Sequence, residues 1–250
     1  MNKQFADSGA WVKTFDEHFD SATLDLAKWN PRYISSAKSD DPDHGLANYF
    51  IRDSILHLRL TRDIPRPSQK GERVSSIETA EWLDREGRDI RVHFAQKYGW
   101  FEIRAKMPAG SGLHSAFWLL LAQPIDWDEA QKQGQVVEID VFEQLGAKTS
   151  KHENDFNIHF TKDGHMKYDM GFDPSQAFHT YALEWHEGRM IWHIDSNAVW
   201  TYEGPTPQAE MFVLLGLYEG CGWTGPVDPE MDYPKDFEID YLRVRELNGK

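Results

Sequence analysis

Residues 138 to 143 read Glu138-Ile139-Asp140-Val141-Phe142-Glu143, three carboxylates within six residues of an otherwise apolar, β-forming run. On a regular strand successive side chains alternate faces, so Glu138 and Asp140 share one face and Glu143 points to the other. A single β-bulge at Val141-Phe142, inserting one unpaired residue, returns Glu143 to the side of the other two. Three acids on one wall cannot all ionise freely, and their pKa values are driven apart. Such a set offers one carboxylate to attack and one carboxylic acid to protonate a leaving group, the pair that glycoside hydrolysis requires. Two other uses of clustered acids stand beside that one: oxygen ligation of Ca²⁺, and a charged sheet edge that discourages aggregation.

The elements that must position these acids are strands. Leu56, Leu58 and Leu60 alternate with His57 and Arg59, and Phe101, Ile103 and Ala105 alternate with Glu102, Arg104 and Lys106. Phe156, Ile158 and Phe160 oppose Asn157 and His159; Tyr181, Leu183 and Trp185 alternate with Ala182 and Glu184. Met190 to Ile194 and Ala198 to Tyr202 flank Asp195-Ser196-Asn197 as a hairpin, and Phe237, Ile239 and Tyr241 close the series. Turn-rich stretches run over Lys38 to Gly45, Ile64 to Gly71, Pro108 to Gly112 and Gly220 to Tyr233, and Asp128 to Gln133 reads as a short helix or a loop. Many alternating strands without a βαβ rhythm predict an all-β, concanavalin-like β-sandwich (jelly roll) of two antiparallel sheets with an open cleft on its concave face. Val137, Ile139 and Val141 then face the core, which sends Glu138 and Asp140, with Asn157 and His159 beside them, to the open face.

The 250 residues contain no internal repeat, low-complexity tract or linker, so one domain over 1–250 is expected. No apolar stretch is long enough to span a bilayer, which predicts a soluble protein without a membrane partner. A net charge of −14 disfavours nucleic acid as partner. Ten Trp residues supply flat apolar faces of the kind on which pyranose rings lie, although part of that content serves the core. The single cysteine, Cys221, excludes an internal disulfide framework. The His spacings, including His186-Glu187 without a second His, do not make a zinc motif, so no catalytic cofactor is expected.

The chain resembles glycoside hydrolase family 16, the laminarinase, agarase and carrageenase group. The resemblance runs through Phe15-Asp16-Glu17-His18-Phe19-Asp20 with Lys28-Trp29, the block Tyr98 to Pro108, and Ala116-Phe117-Trp118 before the acids. It continues through Phe178 to Trp185 and Asp240 to Val244. It implies Glu138 as nucleophile, Glu143 as general acid/base and Asp140 as the residue that hydrogen-bonds the nucleophile. The implied reaction is double displacement with retention, for which the two carboxyl groups stand about 5–5.5 Å apart. It also implies Trp118 as a sugar platform, His159 as a polar neighbour of the acid/base, and Trp223 on a loop over the cleft. Asn48 and Arg104 are candidates for substrate hydroxyl contacts. A structural Ca²⁺ is implied at Glu17 and Asp240, with backbone oxygens near Ser54.

The two residues between Asp140 and Glu143 resemble the laminarinase, agarase and carrageenase spacing rather than that of lichenases, which have one residue fewer. Val137 stands where laminarinases usually place Gly. The expectation is an endo-acting retaining glycosidase on a β-1,3-glucan, with a β-galactan of the agar or carrageenan kind as the alternative and a lectin-like binding module as the rival class. A monomer is expected. The opening residues MNKQFADSGAWVKTF show no apolar signal core, whereas a polysaccharide substrate implies a secreted or periplasmic protein.

Overall fold

The computed structural model describes residues 11–34, 45–63, 72–159, 161 and 164–248. Phe160 and almost all of the turn-rich stretches 38–45 and 64–71 lie outside them. Two large antiparallel sheets stack face to face, the jelly-roll sandwich that the strand pattern predicts. The larger sheet has β14 (Asn197–Glu203), β13 (Arg189–Ile194), β12 (His179–His186), β7 (Gly99–Lys106), β16 (Lys235–Leu247), β3 (Ile55–Leu60) and β2 (Tyr49–Arg52) in that order. In it β1 (Trp11–Glu17) also pairs with β16. The smaller sheet runs β11 (His165–Asp169), β10 (Glu153–Ile158), β9 (Glu138–Leu145), β8 (Leu113–Leu121), β15 (Met211–Glu219) and β4 (Arg73–Glu78). A separate hairpin joins β5 (Ala80–Trp82) to β6 (Ile90–Val92).

The core fills the space between the sheets. Phe101, Ile103 and Ala105 of β7 and Phe237 and Ile239 of β16 meet Phe117 and Leu119 of β8 and Ile139, Val141 and Phe142 of β9. Every residue of β8 and β15 is buried, because both faces of these central strands are covered. Their second face belongs to a smaller apolar cluster with Ala116, Trp118, Leu120, Leu214 and Tyr218.

Two local readings change. A bulge between Ile239 and Tyr241 shifts the inward set of β16 to Leu242 and Val244, so Tyr241 turns outward and donates its hydroxyl to Glu102. The hairpin turn is Asp195-Ser196 alone, both at positive φ, and Asn197 already belongs to β14. The short helix forms as α1 (Trp127–Gln133): the Asp126 side chain accepts from the Glu129 amide, and Gly134 at φ 63° ends it.

Candidate active site

On β9 the ladder with β8 pairs Glu138 with Leu120, Ile139 with Leu119 and Asp140 with Trp118, then resumes with Phe142 on Phe117 and Glu143 on Ala116. Val141 is the residue without a partner. The bulge therefore lies where the spacing of the acids requires it, and Val141 and Phe142 both reach the core. Glu138, Asp140 and Glu143 consequently share the outer face of the smaller sheet, opposite Leu120, Trp118 and Ala116. Across the core, the Trp192 indole N–H donates to the Asp140 carbonyl at 3.1 Å and so anchors the backbone beside the bulge.

These acids line a cleft of about 1050 Å³, together with Trp118, Asn157, His159, Tyr218 and Trp223. His159 follows β10; its amide donates to the Glu138 carbonyl at 3.2 Å. Its Nε2 lies 3.1 Å from Asp140 Oδ2 and 3.3 Å from Glu138 Oε1. Burial above all, then the charges of Asp140 and Glu143, push the Glu138 carboxyl up to about 8, against the pull of His159. Burial, then the charge of Glu143 and a hydrogen bond to it, hold Asp140 well above the usual carboxylate range. Glu138 and Asp140 are thus both held toward their neutral forms by burial and by neighbouring negative charge.

Trp118 is only 8% exposed, yet it belongs to the cleft-side cluster and not to the inter-sheet core. Its indole N–H donates to the Tyr218 hydroxyl at 3.1 Å. That hydroxyl fits because residue 216 is glycine: a Cβ there would collide with it. Trp223 stands 55% exposed on the rim, edge-on to the His114 ring at 4.7 Å. His114, Tyr218 and Trp192 are contributors that the motif reading did not single out. His114 had a signal: it shares the alternation of Ala116 and Trp118 on β8. Tyr218 and Trp192 had none, because each reaches the site from a strand distant in sequence.

Other candidates lie elsewhere. Arg104 points from the outer face of the larger sheet, ion-paired with Asp240 at 2.6 Å and stacked on Phe178, so it is not a cleft residue. Asn48 is absent from the cleft lining; its carbonyl accepts from the Arg59 amide and the Ser75 hydroxyl. Glu17 accepts the amides of His18 and Phe19 on one oxygen, and Lys28 and the Trp29 indole on the other. Lys28 thus stands on Glu17 at 3.1 Å and Arg104 on Asp240 at 2.6 Å. Within the cleft, Glu138, Asp140 and His159 bring atoms within 4.8 Å of one another. His159 Nε2 joins the two carboxylates, at 3.3 Å from Glu138 and 3.1 Å from Asp140. A second cavity of about 590 Å³ holds Arg59 and Arg62, which are committed to Asp236 and to the Pro229 and Met231 carbonyls.

The family model described as "Glycosyl hydrolases family 16" matches residues 48–242, most of the chain. The chain belongs to glycosyl hydrolases family 16. Among family 16 relatives, a "Beta-glucanase" of Brevibacillus brevis is 32% identical over 164 residues, 64% of this chain and 61% of that protein. A "Glucan endo-1,3-beta-glucosidase A1" of Niallia circulans is 22% identical across 92% of this chain and 37% of its own length. This chain thus spans less than two thirds of these curated relatives. In fold, it is similar to a GlcNAcα1-4Gal-releasing endo-β-galactosidase from Clostridium perfringens, with a TM-score of 0.82 and 25% identity over 96% of this chain and 64% of that one. The laminarinase catalytic domain of Thermotoga maritima superposes with a TM-score of 0.72 at 23% identity, covering 95% of this chain and 98% of that domain.

Proposed function

We propose that the protein is a retaining endo-glycosidase that hydrolyses a β-linked polysaccharide by double displacement. The observation that carries this reading is the bulge of β9, which brings Glu138, Asp140 and Glu143 onto one cleft wall beside Trp118. In the first step Glu143 gives its proton to the glycosidic oxygen, the C1–O bond breaks, and an oxygen of ionised Glu138, the form that gains as pH rises toward about 8, bonds to C1. In the second step the Glu143 carboxylate takes a proton from water, the water oxygen bonds to C1, and the ester to Glu138 breaks. His159 Nε2 lies within reach of both Glu138 and Asp140, and its pull favours the ionised Glu138 that attacks. A sugar ring laid on Trp118 sits beside Asp140, its ladder partner. The cleft, about 1050 Å³, stands at the upper end of the roughly 300–1,000 Å³ of ligand pockets, with room for a glycan segment.

A β-1,3-glucan is the first substrate reading, supported by the spacing of the acids and by relatives named as β-glucanases. A β-galactan is the second. The fold likeness to the endo-β-galactosidase, 0.82 against 0.72 for the laminarinase, favours it, and Val137 in place of glycine weakens the glucan reading without naming a replacement.

Reducing-end release by wild type and Glu138→Gln across laminarin, mixed-linkage glucan, agarose and carrageenan tests both levels. Release from one polymer, abolished in the variant, with the β-anomer appearing first by NMR, supports the mechanism and names the glycan. Activity that survives Glu138→Gln overturns the assignment of the nucleophile. Binding without cleavage on every polymer favours a lectin-like protein.

A further inference from the structure

His114 is a buried imidazole that the double displacement above does not use. It lies on β8 with its partner Leu145 across the ladder, while Glu143 faces Ala116; His114 and Glu143 are therefore diagonal neighbours on the cleft face. The His114 ring is 7% exposed and wedged between Tyr218, centroids 5.3 Å apart, and the edge-on Trp223. Its Nε2 lies 3.3 Å from Glu143 Oε1, yet it is buried without an aligned hydrogen bond. Contacts of this kind in an empty active site commonly tighten once substrate closes it.

We propose that His114 is a positioning residue for the acid/base: its Nε2 meets Glu143 from β8 while Asp140 meets it from β9, and it stabilises the carboxylate that the second step needs. The proposal rests on the assignment of Glu143 given above. An acid/base must hold a proton in one step and lose it in the next, so it works best with its pKa near the operating pH. Glu138 and Asp140 on the same strand oppose that loss by repulsion. On β10, Asp155 pairs with Glu143 in register, but its own charge is met by His165 at 2.9 Å and by Lys148 and Lys167 at 3.9 and 3.8 Å. Tyr218 on β15 and Tyr33, Glu72 and Cys221 on the rim add no cation. Among the described residues, His114 is the basic group within ion-pair distance of Glu143 itself. A donor at that place favours the charged form and offsets the crowding.

The test follows Glu143 directly by ¹³C NMR of carboxyl-labelled protein, with Glu143→Gln as the assignment control, in wild type, His114→Phe and His114→Gln. Loss of the donor in His114→Phe is expected to raise the Glu143 titration by about one pH unit. The alkaline limb of kcat/KM should move with it, while KM changes little. His114→Gln, which retains an N–H donor, is expected to restore most of the shift. An unchanged or lowered titration in His114→Phe overturns the proposal. So does an equal shift in both variants, which would trace the effect to packing. If His114→Phe does not fold, His114→Met serves in the same comparison. The titration is read in resting protein, so it stands even if Glu138→Gln remains active and the catalytic reading falls.

Discussion

Trp118 and Asp140 are direct partners across the β8–β9 ladder, so the apolar ring and the most buried of the three acids stand side by side on one cleft wall. The ring is held there by a hydrogen bond from its indole N–H to Tyr218, which has room for its hydroxyl because Gly216 lacks a Cβ.

Tyr218→Phe should therefore strand a buried indole donor, at a cost of about 1–3 kcal/mol. Gly216→Ala should displace the same hydroxyl and lower stability by a similar amount. Because the two act on one contact, the double variant should lose less than the sum. Urea unfolding of the three variants checks this, and strict additivity would show that the glycine and the phenol are independent.

The raised carboxyl of Glu138 has a stability consequence. An acid whose folded pKa lies above its unfolded value stabilises the fold at low pH, and that contribution is lost as pH rises from about 4.5 toward about 8. Glu138→Gln removes the titration. The variant should exceed wild type in unfolding free energy at pH 8 by an amount on the order of a few kcal/mol, with the gap closing toward pH 4.5. A gap that does not depend on pH would contradict the assignment.

Glu78 predicts the same sign from a site away from the acids. It is fully buried, accepts the Ile34 amide at 2.9 Å on Oε1 and leaves Oε2 without a partner, and burial raises its pKa well above normal. Glu78→Gln keeps an acceptor for Ile34 and cannot ionise. Thermal melts should show it gaining on wild type as pH rises from 4.5, and a loss at high pH would sink the idea.

Trp223 should separate binding from stability. It is largely exposed on the rim, so Trp223→Ala should change the unfolding free energy by no more than about 0.5 kcal/mol. As a sugar-facing surface it should raise KM about tenfold, a binding loss of about 1.4 kcal/mol, with kcat nearly unchanged. An unaltered KM would place the ring outside the sugar path.

The sequence by itself determined the sandwich and the face of the acids. Period-2 alternation is a local property, and a spacing of two between Glu138 and Asp140, then three to Glu143, demands one extra residue if all are to face the cleft; the ladder places that residue at Val141. What alternation cannot register is a bulge without a functional pattern to reveal it, and Tyr241 turns outward for that reason. Arg104 alternates as its strand requires, but strand order places β7 in the other sheet, so its face meets Asp240 rather than sugar. Only the tertiary structure joined Trp192 to the Asp140 carbonyl, Tyr218 to Trp118 and His114 to Glu143. Those pairs come from strands far apart in the chain, and the stacking of strands, not the spacing of residues, sets their distances.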